Sequence, residues 1–118
     1  MTQTETILSN DPRQAVEEMI KITQEMEARI EIESNAMATN DGTTFAANEE
    51  NKEHVATIYE KAANEFHARI REFKQVDKSL IAQLEDAQKS LGQSTKNNLV
   101  LLEKLQDALD PQEVTKDQ

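Results

Sequence analysis

From Phe45 to Leu109 the chain contains no proline and one glycine, Gly92. Large apolar side chains recur through this run at a helical spacing. Phe45, Tyr59, Phe66 and Phe73 stand seven or fourteen residues apart, with Lys52 in the skipped position. The same phase continues through Leu80, Ala87, Ser94 and Leu101. A second track, Val55 and Ala62, reappears one residue late as Ile70, Leu84, Leu91 and Leu105. Apolar positions three and four apart form one stripe of an α-helix, because successive side chains turn by about 100°. The extra residue at Ile70 reads as a stutter, which relaxes a left-handed supercoil. Period-two alternation is absent at useful length, so strands are excluded. Such a stripe requires a partner stripe.

The partner lies upstream. Asn10-Asp11-Pro12 is a helix start: a side-chain oxygen at the cap, then proline where its missing N–H costs nothing. A first helix is predicted over 12–38, with Val16, Met19, Thr23, Met26, Ile30 and Met37 on one face. Glu33 falls on that seam and is expected at the bundle end, in water, because acids are seldom buried unpaired. Thr39-Asn40-Asp41-Gly42-Thr43 then punctuates the chain. Gly42 suits the left-handed residue that ends a helix, and Asp41 or Thr43 can cap the next. So short a connection makes the flanking helices antiparallel neighbours.

The second helix is predicted from Thr43 to about Lys74. Between Lys74 and Lys78 the chain either reverses through a polar turn or continues straight. A continuous helix of about 65 residues would reach roughly 100 Å, and the first helix could cover less than half of it. A break is therefore favoured, with a third helix from about Asp77 to Leu109 and a kink point at Gly92. The fold expected is all-α: an antiparallel bundle of three long helices with coiled-coil-like packing. It occupies residues 11–109, between a flexible N-terminus over 1–10 and a flexible polar tail over 110–118.

Composition narrows the function. The 118 residues carry 23 acidic and 13 basic side chains, a net charge of −10. That disfavours nucleic acid and anionic membranes, which need a concentrated positive face. There is no cysteine, hence no disulfide framework or thiolate site. The N-terminus lacks the cationic start and apolar run of a signal peptide. No window approaches the roughly 20 apolar residues of a membrane span. The expectation is a soluble cytoplasmic protein without membrane insertion.

Catalytic chemistry finds no foothold. A di-metal bundle needs Glu-x-x-His on facing helices, but Asn51 and Asn64 occupy the glutamate places before His54 and His67. Glu50 and His54 are one turn apart, which suffices only for an adventitious cation. The His-x-x-Lys-Gly run of phosphorelay bundles is absent, as are phosphate loops and nucleophile elbows. No enzyme, metal or cofactor is expected. Lys61, Arg69 and Arg71 cluster among acids and read as surface pairs.

The segment from Leu99 to Leu109 stands apart. Leu101, Leu105 and Ala108 form one strip, and Leu99, Leu102 and Leu109 a second beside it. Together they span about half the helix circumference, wider than one packed neighbour needs. This width has two readings: burial within the bundle or a homodimer, or a face for another protein's helix. Leu99, Leu102, Leu105 and Leu109 are the candidate partner-binding residues.

Glu31-Ile-Glu-Ser-Asn-Ala-Met37, Asn40-Asp41, Phe45, Asn51-Lys52, Val55 and Tyr59, with Asn98 before Leu101-Leu102, resemble the FlgN-like flagellar export chaperones. Asn51 stands where that family commonly has glutamate. The resemblance implies a small acidic cytosolic helical bundle that keeps hook–filament junction proteins soluble and delivers them to the flagellar type III export apparatus. It also implies that the C-terminal helical part holds the client. The alternatives are a coiled-coil scaffold or assembly protein, whose stripe serves self-association, and a divergent signalling bundle.

Overall fold

A computed structural model describes residues 6–109. Three long α-helices follow one another: α1, Pro12–Ala38; α2, Gly42–Ala68; and α3, Lys78–Leu109. A 3-10 helix, Ile70–Gln75, joins α2 to α3. Among the described residues there is no strand, and the all-α antiparallel bundle is the fold.

Local chemistry sets each boundary. The Asp11 carboxylate accepts from Gln14 N at 2.9 Å, and Pro12 opens α1. At the far end of α1 the left-handed residue is Asn40, with φ 56°, and not Gly42. Asn40 N donates to Met37 O and Asp41 N to Ala36 O, the paired bonds that satisfy the last carbonyls of a helix. Gly42 is instead the first residue of α2, with no positive φ. Asp41 caps α2, accepting from Thr44 N at 3.1 Å and from Thr44 Oγ1 at 2.6 Å.

The break between the second and third helices is present, but it begins earlier than expected. The α-helix stops at Ala68, and the next six-residue element tightens to 3-10 geometry before Val76 adopts an extended backbone. The one-residue slip at Ile70 is therefore the start of a chain reversal and not a stutter within a helix. Asp77 follows and accepts from Ser79 N and Oγ. Gly92 lies inside α3 without interrupting it.

α1 is the central helix. It packs along both α2 and α3, whereas α2 and α3 scarcely approach each other's backbones. The apolar core sits toward the start of α1, where Val16, Met19 and Ile20 meet Ala62, Phe73, Val76, Leu80 and Leu84. Leu8 completes it, at 2% exposure. The expected fraying of residues 1–10 fails at these positions. Ile7 N and Leu8 N donate to the Glu65 carboxylate, and Arg69 donates to Ser9 O at 2.7 Å and Asn10 O at 3.1 Å. Burying one leucine contributes roughly 1.5–3 kcal/mol, enough to hold a short strap. Residues 1–5 and 110–118 lie outside the described residues, so the rest of the expected N-terminal and C-terminal tails does too.

Midway along the bundle a polar relay joins all three helices. Tyr59 Oη donates to Gln88 Oε1 at 2.9 Å, Gln88 Nε2 to Thr23 Oγ1 at 2.9 Å, and Thr23 Oγ1 to Met19 O at 2.7 Å. A part-buried chain of this kind favours one satisfied geometry, so it pins the axial register of α2 and α3 on α1. A smaller apolar cluster of Met26, Ile30, Val55 and Leu91 lies beyond the relay.

Candidate interaction surface

Past Ile30 the interior changes character. Glu33 is 1% exposed, contrary to the expectation that it would stand in water. Lys52 from α2 donates to it at 2.8 Å, and Asn98 Nδ2 from α3 at 2.9 Å. Asn98 Nδ2 also lies 3.0 Å from Ser34 Oγ. Lys52 thus fills the skipped place in the aromatic stripe because a buried carboxylate faces it. Asn48, also buried, donates to Arg29 O at 3.0 Å, while Ser94 donates to Glu27 at 2.9 Å.

Burial by itself would raise the Glu33 carboxyl. Hydrogen bonds from Glu49, Lys52 and Asn98, with the Lys52 charge, outweigh it and hold the group below its ordinary value. Glu49 shifts the other way, raised first by its hydrogen bond to Glu33 and then by burial. Glu49 Oε2 makes no hydrogen bond and lies 4.0 Å from Lys52 Nζ.

Asn98 is the last buried residue of α3. α1 and α3 run parallel, and Asn98 lies level with Ile30, Glu33 and Ser34. One turn further, near Leu102, α3 draws level with the end of α1 at Ala38. The residues from Glu103 to Leu109 therefore project about 10 Å past the hairpin at 1.5 Å per residue. Of the candidate binding residues, Leu99 is 53% and Leu109 73% exposed, while Leu102 and Leu105 are half-buried. Val100 joins the exposed set. The expected inward strip is only partly inward: Leu101 and Leu105 are half-buried, but Ala108 is exposed, because no helix remains beside it. Leu105 and Leu109 lie on the projecting end, Leu99 and Leu102 just before it beside α1, and none of the four is buried.

His54 and His67 are both exposed and stand on α2 well apart. Among the described residues no three His, Asp or Glu side chains converge on a point that would suit a metal ion. No described helix is long and apolar enough to cross a membrane.

Sequence reasoning missed a second surface. The aromatic stripe was expected to be core throughout, yet Phe66 is half-buried and Ile70 is 52% exposed. Phe66 stacks on buried Phe73, ring centroids 4.2 Å apart, with Arg69 over the Phe73 ring. They border an open groove of about 900 Å³ between the α2–α3 connection and α3. The signal was the phase slip at Ile70, which turns one side chain out of the stripe.

No family model, curated protein or solved structure matches the chain. The fold and its surfaces define the class: a three-helix bundle built on a central helix, apolar at one end, polar-layered at the other, with a projecting leucine-rich helix end.

Proposed function

We propose that the chain is a non-catalytic cytoplasmic binding protein that holds an amphipathic segment of a client against the projecting end of α3. The client class is the flagellar hook–filament junction proteins, which the chain keeps competent for delivery to the type III export apparatus. The observation that carries the binding reading is the exposure of Leu99 and Val100 on the flank of α3 and of Leu109 on its projecting end. A large exposed apolar patch on a monomer marks an interaction site, and half-buried Leu102 and Leu105 lie between Leu99 and Leu109. Each leucine fully desolvated by a client is worth roughly 1.5–3 kcal/mol, before the cost of association. The family resemblance at Glu31–Met37, Asn40-Asp41 and Asn98–Leu102 supports the choice of client.

The test is the double substitution Leu102→Ser with Leu109→Ser, assayed against a purified hook–filament junction protein. Binding is expected to be lost while helix content and melting temperature stay close to wild type. If the wild type is a dimer that this variant dissociates, the face serves self-association and the scaffold reading replaces the chaperone. An early-melting variant would make the leucines structural.

A further inference from the structure

Among the described residues the groove between the α2–α3 connection and α3 has no occupant, and its chemistry is specific. Because α2 and α3 each pack on α1 and scarcely approach each other's backbones, a trough runs between them on the side away from α1. Its walls are Phe66, Ile70, Phe73 and Val76 on one side and Ile81 and Leu84 on the other. A smaller pocket of about 200 Å³ shares Phe66 and Leu84 with it and reaches down to Met19 of α1. This is the place a fourth helix occupies in a four-helix bundle.

The rim is basic. Lys74, Lys78 and Lys89 line the groove, with Glu85 the one acid among its lining residues. All three lysines are exposed. Among the described residues, none of them makes an ion pair within 4.0 Å; the pairs found are Arg13–Glu17, Lys52–Glu33, Lys52–Glu49 and Arg69–Glu72. In a chain of net charge −10, three lysines to one glutamate around one apolar trough are a local reversal of sign. Low-dielectric walls focus such a field.

We propose that this groove docks an acidic amphipathic helix of another protein, in the fourth-helix position. Along α3 the lining runs from Lys78 to Lys89, about three turns or roughly 17 Å. A helix of three to four turns, with apolar anchors at i, i+3 or i+4, and i+7, fills that length. Its flanking carboxylates meet the lysines. An anionic membrane is the poorer fit, because three lysines cannot offset the acidic surface around them. The site lies at the opposite end of the bundle from the projecting leucines and does not depend on the client reading.

The probes are three fluorescein-labelled 16-residue peptides sharing one leucine pattern, with glutamate, glutamine or lysine at the flanking positions. Anisotropy with the full chain at low salt is expected to rank glutamate first, about tenfold tighter than glutamine, with lysine weakest. The triple reversal Lys74→Glu, Lys78→Glu, Lys89→Glu should abolish that preference, and Ile70→Glu should weaken all binding. These four positions are exposed, so an unchanged circular dichroism melt certifies the fold. Added salt should shrink the glutamate advantage. Equal binding of the glutamate and glutamine peptides would overturn the proposal. So would binding lost on Leu102→Ser with Leu109→Ser but retained in the groove variants. Sedimentation showing a wild-type dimer that Ile70→Glu disperses would give the groove to a second copy. Lysine-dependent binding to phosphatidylserine vesicles without peptide binding would give it to a membrane.

Discussion

Glu33 shows how a single side chain can be read correctly for position and wrongly for environment. Its place on the α1 seam was visible in the apolar spacing, as was Lys52 in the α2 stripe. Their meeting was not, because a turn of known length leaves the axial register of a hairpin open by about one helical turn. The structure settles it at 2.8 Å. Lys52→Met should therefore cost about 3 kcal/mol in a urea titration, since it strands a buried carboxylate. Glu33→Leu with Lys52→Met should recover most of that loss, a non-additivity that two independent sites would not give. The opposed shifts of Glu33 and Glu49 add a pH signature. Glu33, held low, contributes stability above the ordinary glutamate range and loses it as pH falls through its folded value. Glu49, held high, contributes below that range and loses it as pH rises through its raised value. Melting temperature should thus peak in weak acid. Glu49→Gln, which cannot titrate, should flatten the fall above the ordinary glutamate range. Profiles that run parallel would mean that the Glu49 carboxyl is not raised.

At the scale of elements, what was legible was local. Asp11-Pro12 and the Thr39–Thr43 turn are read from chemistry within a few residues, and both stand where expected. The end of α2 was not legible. Its residues from Ile70 to Gln75 carry no glycine or proline, and the shift to 3-10 geometry answers to the packing of Phe73 and Val76 under Leu8 and Leu80. Phe73→Ala should accordingly cost about 3–5 kcal/mol, measured by chemical denaturation, and Phe66→Ala clearly less, since Phe66 is only half-buried. An equal loss at both would place the groove wall in the core. In α3, Gly92 is an exposed helical residue, and a Cβ there would meet nothing within 4 Å. Gly92→Ala should stabilise by roughly 0.5–1 kcal/mol. A destabilisation would mean that the residue serves a bend or a partner contact.

Over the whole molecule, the interior is graded from apolar to polar. Around Leu8, Val16 and Leu84 the helices are held by hydrocarbon contact; around Asn48, Ser94 and Asn98 they are held by hydrogen bonds and one ion pair. Net hydrogen-bond contributions are about 1 kcal/mol each, so the turn end should open more readily. Amide hydrogen exchange should be slowest near Met19 and Leu84 and fastest along Leu99–Leu109. Uniform protection would deny the gradient. The number and direction of the helices were legible from the stripe and its breaks. The separation of α2 from α3 was not, because it depends on how side-chain volumes divide around α1, which no periodicity encodes. Hence the leucine end was found in the sequence and the groove was not.

The central position of α1 also bears on the order of assembly. Polar contacts between α1 and α2 at the turn end join residues 19 apart, whereas those between α1 and α3 join residues 63 to 68 apart. Closing the larger loop costs more chain entropy and rewards it later. The hairpin is then the early-forming half of the kinetic barrier, and α3 docks on a surface already in place. Stopped-flow kinetics should show Asp41→Ala slowing refolding and Asn98→Ala mainly hastening unfolding. The chain would thus pass, on its way to the native state, through its longest wait with the α3 leucines still unplaced.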